Sequence, residues 1–178
     1  MFAIVLAALD RSGSVLPILC AMAVHELAHI VMMLACGGQV RRLTLRFADL
    51  QIAASGLGYR QELLSALAGP LVNLICGAAF CLQRPSFAAY SLMLGIYNLL
   101  PVWPLDGGRM IRCVLLARLP ITQAEHISEI VSFAACAVLL LIGVFLTFFR
   151  KSGLWPLGTA AYLTVRLLML ARRTDAVQ

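Results

Sequence analysis

Charge is what this sequence has least of. Asp, Glu, Lys and Arg make up 12% of its 178 residues, against 62% hydrophobic residues and a mean hydropathy of +0.93. A soluble domain is nearer half apolar. So little polar surface cannot cover a water-soluble globule, which excludes that class. It leaves an integral membrane protein of one compact domain, residues 1–178. Lysine is nearly missing too: Lys151 is the only one, and the rest of the positive charge in this net +6 chain is arginine. The arginines lie between apolar runs rather than in a block. That fits loops facing the cytoplasm and anionic lipid, with no nucleic-acid partner. No CxxC pair occurs among Cys20, Cys36, Cys76, Cys81, Cys113 and Cys136, so reduced thiols are expected and a disulfide framework is not. The start of the chain has no basic n-region and no small-residue cleavage site, so no removable signal peptide is read. There is no repeat, no low-complexity tract and no second domain.

What is present is a series of apolar runs near the roughly 20 residues a helix needs to cross a bilayer. They cover residues 15–36, 63–82, 86–100, 127–149 and 154–171. The first has Pro17 near its start and Gly37-Gly38 at its end, in keeping with how helices begin and stop. The opening "MFAIVLAAL" adds a short segment, interrupted by Asp10-Arg11. The expected fold is therefore all-α and multi-pass, with about six transmembrane segments, the first one short. Between the first two long runs, Leu43, Leu45 and Phe47 alternate with Arg42, Thr44 and Arg46. That period of two predicts a strand, with "LQIAAS" as its partner and Ala48-Asp49 in the turn. The result is a small membrane-associated β-hairpin near residues 40–54. It must lie at the interface or against a wet cavity, because an open sheet edge in lipid leaves backbone groups unpaired. With the N-terminus in the cytoplasm, nine positive residues fall on the cytoplasmic side and four outside, which predicts that orientation in a bacterial cell membrane.

One of the long runs contains "AVHELAHIVMM", residues 23–33. Positions four apart share a helix face, so His25 and His29 can point two imidazoles at one metal ion. Glu26 stands beside the first, where it can act as general base. A match at three positions also arises by chance. Ionisable groups in a membrane helix, however, cost about 2.5–3.5 kcal/mol each on insertion scales and are rarely idle. Catalytic zinc takes a third protein ligand. His126 lies in the polar stretch "ITQAEHISE" and reads more simply as a solvated residue. Asp106 is the better candidate. It follows an apolar run in "NLLPVWPLDGGR", residues 98–109, where Pro101 and Pro104 break the helix and Gly107-Gly108 allow a tight turn. A plainer role is to cap the next helix, and the two roles are compatible. In "ALAGPLVN", residues 66–73, Gly69-Pro70 suggests a kink and close packing. Asn73 reads as an interhelical hydrogen-bonding residue. Asn98 is nearer the site and suited to contact a substrate backbone.

"HELAH", "AGPLVN" and "NLLPVWPLDGGR", in this order and spacing, resemble the site-2 protease family of intramembrane zinc metalloproteases. "LPVWPLDGGR" is most similar to the branch of stage IV sporulation proteins in spore-forming bacteria. The resemblance covers roughly residues 2–172. It implies one zinc ion per chain held by His25, His29 and Asp106, with Glu26 catalytic and Asn98 engaging substrate. It implies cleavage of a membrane-associated protein, in that branch a sigma-factor precursor processed during sporulation, with inhibitory membrane proteins as further partners. The active site is expected toward the cytoplasmic side. Members of that branch commonly carry a C-terminal nucleotide-sensing domain. None is expected here, since the chain stops at Gln178. The competing reading is a metal-binding membrane transporter or sensor without hydrolytic activity. Polar groups clustered at one depth, rather than along a path, disfavour it.

Overall fold

The computed structural model describes residues 13–46, 49–55, 57–148 and 155–175. In chain order they form α1 (Val15–Ala35), β1 (Gln39–Arg46), β2 (Asp49–Ser55), α2 (Tyr59–Ala79), α3 (Pro85–Asn98), α4 (Asp106–Leu116), α5 (Ile121–Phe148) and α6 (Trp155–Asp175). The chain divides into two compact units that meet in sequence at Leu99 and Leu100.

In the first unit, α1 packs on α2 and α3, and α2 packs on α3. The buried residues of α1 are Ala21, His25, His29 and Met33, one every four positions and so one stripe of the helix. Leu27, Val31 and Leu34 face outward, each more than half exposed. The buried face of α2 carries Ser65, Ala66, Ala68, Gly69, Pro70, Asn73 and Gly77, while Leu64, Leu71 and Ile75 point out. This is the reverse of a soluble amphipathic helix, whose large apolar residues face the core. Small and polar residues inside with large apolar ones outside is the pattern of helices whose outer solvent is lipid. The close approach is explicit at Gly95 of α3, where a Cβ would stand 3.0 Å from the Pro70 carbonyl oxygen.

The end of α1 is set by Gly37, with φ of 79°. The Gly37 N–H donates to the Leu34 carbonyl and the Gly38 N–H to the Met33 carbonyl, the paired bonds of a Schellman stop. The start of α2 is tied to that end by Gln61. Its oxygen accepts from the Gly58 N–H at 2.8 Å and its amide donates to the Cys36 carbonyl at 3.0 Å. Between these ends, β1 and β2 pair antiparallel from Gln39 opposite Ser55 to Arg46 opposite Asp49, with an irregularity between Val40 and Arg42. Asp49 is thus a strand residue, not the turn residue expected for it. Side-chain alternation gives the strand period but does not fix where pairing begins. Phe47 and Ala48 lie outside the described residues.

In the second unit, α4 and α6 both pack against α5. Helix α5 begins directly after Pro120, six residues ahead of the expected run, so "ITQAEHISE" is its polar first part. Its buried residues are Ala124, Ser128, Ser132, Cys136 and Gly143. The Ser132 hydroxyl donates to the Ser128 carbonyl at 2.9 Å and accepts from the Trp103 N–H at 3.1 Å. That bond fixes the loop before α4 to the long helix.

Three helices among the described residues are long and apolar enough to cross a bilayer: Val15–Ala35, Tyr59–Ala79 and Ile121–Phe148. At about 1.5 Å per residue, 21 residues reach roughly the 30 Å of a hydrocarbon core. Helix α3 has 14 residues and falls short by that measure. The apolar part of α6, Leu157–Met169, is shorter as well. The expected opening segment, residues 1–9, lies outside the described residues.

Candidate metal centre

The HELAH stretch is helical throughout, so its two histidines stand one turn apart on the buried stripe of α1. His25 is 4% exposed and His29 6%. Their rings meet edge to face, with centroids 4.7 Å apart, and their Nε2 atoms approach to 3.1 Å. Glu26, the next residue along, is half-buried.

Helix α2 supplies partners that position these rings. His29 Nδ1 lies 2.6 Å from the Ser65 carbonyl oxygen. A carbonyl can only accept, so the His29 proton sits on Nδ1 and its Nε2 presents a lone pair. The Ser65 hydroxyl returns a longer bond of 3.3 Å to the His29 carbonyl. Gly69 passes beneath both rings. A Cβ there would stand 2.4 Å from His29 Nε2 and 2.9 Å from the nearest His25 ring carbon. Its neighbour Pro70 lies inside α2, which continues through it from Tyr59 to Ala79. The glycine is therefore required by two imidazoles on the facing helix, a particular case of the close packing expected at Gly69-Pro70. Sequence reasoning missed this role. The signal was a glycine in an apolar run, which says that something comes close without saying what. Asn73, one turn further on, reaches His25: its amide nitrogen is 3.2 Å from His25 Nδ1.

Asp106 stands in the second unit as the first residue of α4, and it is buried. It does not cap the helix. The N-cap is Leu105, with no side-chain cap bond, and Asp106 lies inside the first turn. A carboxylate there is favoured by the helix dipole by about 0.3–1 kcal/mol. Arg109 lies one turn on, with Nη1 3.4 Å from Asp106 Oδ1. The approach to Asp106 is shaped by Gly108, where a Cβ would fall 2.6 Å from the Val102 carbonyl and the Trp103 nitrogen. Gly107 and Gly108 are thus helical residues, and Gly108 serves close packing of the preceding loop rather than a tight turn. Arg112 sits over the Trp103 ring at 5.8 Å and pairs with Glu125 at 2.9 Å, which brackets the same loop.

Asn98 ends α3, half-buried, and its amide donates to the Leu94 carbonyl of its own helix at 3.0 Å. His126 is exposed on the first turns of α5, as its polar surroundings suggested.

The donors suit a metal. Two nitrogens about 2.0–2.1 Å from one tetrahedral zinc ion stand roughly 3.3 Å apart. The two Nε2 atoms, at 3.1 Å, have that spacing. His29 already holds the tautomer a ligand needs. Gly69 leaves room that any Cβ would fill. Imidazole nitrogen and carboxylate oxygen are both ordinary zinc ligands.

Residues 85–142 match peptidase family M50. The chain is 28% identical over 138 residues to the stage IV sporulation protein FB of Bacillus subtilis, covering 70% of this chain and 47% of that protein. It is 26% identical over 133 residues to the zinc metalloprotease MJ0392 of Methanocaldococcus jannaschii, covering 67% of this chain and 39% of that one. It spans less than half the length of either. Among solved structures, it is similar to the site-2 protease from Methanocaldococcus jannaschii, with a TM-score of 0.68 over 94% of this chain and 83% of that one. Sequence identity there is 19%, so this likeness is one of fold.

Proposed function

The chain resembles the site-2 proteases of peptidase family M50, and from that premise we propose that it is an intramembrane zinc metalloprotease. His25, His29 and Asp106, all buried, would hold one zinc ion. The observation that carries the reading is the HELAH pair itself: two Nε2 atoms 3.1 Å apart on a helix apolar enough to cross a bilayer, one of them already in the ligand tautomer. Zinc, when bound, supplies a Lewis acid that polarises the scissile carbonyl and makes water a better nucleophile.

The chain's own residues do the rest. Glu26 takes a proton from the attacking water as the new C–O bond forms. It returns that proton to the departing nitrogen as the C–N bond breaks. One peptide bond and one water become a carboxylate and an ammonium, the second proton passing from the attacking oxygen to the departing nitrogen. The neighbouring histidines place Glu26 at the reaction without a flexible loop between them, and positioning of this kind is a large part of catalysis.

The substrate is a membrane-associated protein, and in the sporulation branch a sigma-factor precursor, with inhibitory membrane proteins as regulators. Its helix must unwind to expose a carbonyl. The β1–β2 hairpin, at the membrane interface, offers an edge on which an unwound segment can add as a strand. Asn98 engages the substrate backbone. The chain crosses a bacterial cell membrane in about six segments, with the site toward the cytoplasm.

The test is co-expression of a membrane-tethered sigma-factor precursor with the wild type or Glu26→Gln. Cleavage by the wild type alone, with zinc retained in the variant, is the expected outcome. Equal cleavage by both removes Glu26 as the base. No cleavage by either, in a panel of membrane-tethered substrates, removes the protease reading.

A further inference from the structure

We propose that Asn73 is the positioning residue for His25. Its side-chain oxygen accepts the His25 Nδ1 proton and so commits His25 Nε2 to metal. This rests on the zinc reading above and goes beyond it by adding a residue that touches neither zinc nor substrate.

The argument begins with proton bookkeeping on two rings. A neutral imidazole carries one proton, and only the bare nitrogen binds metal. His29 is settled, because Nδ1 faces a carbonyl. His25 is not, because its Nδ1 faces an amide, which has a donating end and an accepting end of nearly the same shape. With the Asn73 nitrogen toward His25, Nδ1 accepts. The His25 proton then lies on Nε2, directed at the bare Nε2 of His29 at 3.1 Å. That arrangement is an imidazole–imidazole hydrogen bond, and His25 cannot ligate through it. With the amide turned by half a turn, Nδ1 donates to oxygen and His25 Nε2 is bare. Two bare nitrogens at that distance repel unless a cation lies between them.

A second observation points the same way. Asn73 is fully buried, and its oxygen, in the first orientation, has no hydrogen-bond partner. A buried acceptor left unpaired is costly. The half-turn gives that oxygen the His25 N–H. An asparagine does this without placing a costly ionised side chain in the apolar span.

The test uses the full chain purified in detergent, with zinc affinity measured by competition against a chromophoric chelator. Failure of the wild type to bind zinc overturns the metal-site reading itself. Given wild-type binding, Asn73→Leu is expected to weaken affinity by about 10–100-fold, the usual effect of removing a group that orients a histidine ligand. Asn73→Asp can only accept, and is expected to stay within about threefold of wild type or bind more tightly. A folded Asn73→Leu that binds like wild type overturns the proposal. So does a folded Asn73→Asp that binds as poorly as Asn73→Leu, which is what a purely structural or donating role gives. If Asn73→Leu does not fold, nitrogen NMR of His25 in Asn73→Asp decides. A proton on Nδ1 supports the proposal, and a proton on Nε2 overturns it.

Discussion

His29 Nδ1 is held 2.6 Å from the carbonyl oxygen of Ser65, a residue 36 positions away on the facing helix. The partner is main chain, so the ring's orientation depends on the register of α1 against α2 rather than on the side chain at 65. Ser65→Ala should therefore leave zinc affinity within about threefold of wild type. It removes only the 3.3 Å hydroxyl bond, a contribution of about 1 kcal/mol or less. Thermal unfolding with a parallel chelator titration checks both halves, and a large loss of zinc would show that the hydroxyl matters.

Gly69→Ala should abolish zinc binding in a chain that still folds. The new methyl falls 2.4 Å from His29 Nε2, and the ring must leave its place. Alanine otherwise favours a helix over glycine by roughly 0.5–1 kcal/mol. Gly158→Ala, whose Cβ meets nothing within 4 Å, is the control and should keep zinc. Metal content of the two purified variants, beside circular dichroism, separates a steric effect at the site from a general one.

Glu26→Gln should lower proteolysis by about 10²–10⁴-fold, the range for a general acid–base group. Zinc content should be unchanged, because Glu26 is not proposed as a ligand. Cleavage assayed with metal analysis on the same preparation makes the comparison, and a variant that loses zinc would place Glu26 among the ligands instead.

Asp106→Asn should weaken zinc binding while α4 persists. The N-cap is Leu105, and Asp106 lies inside the first turn. The expected stability loss is the dipole and Arg109 contribution, about 1 kcal/mol together. Unchanged zinc affinity would assign the third ligand elsewhere.

Gly108→Ala should act differently from Gly69→Ala. Its Cβ would strike the backbone of Val102 and Trp103 at 2.6 Å, and backbone cannot swing aside as a ring can. Overpacking of this kind typically costs about 1–3 kcal/mol. The unfolding midpoint should fall, with proteolysis lost in step, and an unchanged midpoint would mean the loop before α4 is free to move.

The linear chain was enough to read the solvent. Twelve per cent charge and runs of about 20 apolar residues specify a lipid environment, because nothing else would cover such a surface. His25, Glu26 and His29 are legible as a unit because helix periodicity is local: positions four apart share a face whatever the rest of the chain does. The alternation around Leu43 is legible for the same reason, since strand period is local as well. The helix ends were less so. Helix α5 takes in the polar "ITQAEHISE", since its start is set by Pro120 rather than by where hydrophobicity begins. What only the tertiary structure decided is everything that depends on the facing element. The Ser65 carbonyl that sets a histidine tautomer, the glycine at 69 that makes room for two rings, and the amide of Asn73 that faces the other histidine all belong to α2. None is adjacent to HELAH in sequence. Their roles follow from the register of two packed helices, a through-space relation that no local period encodes.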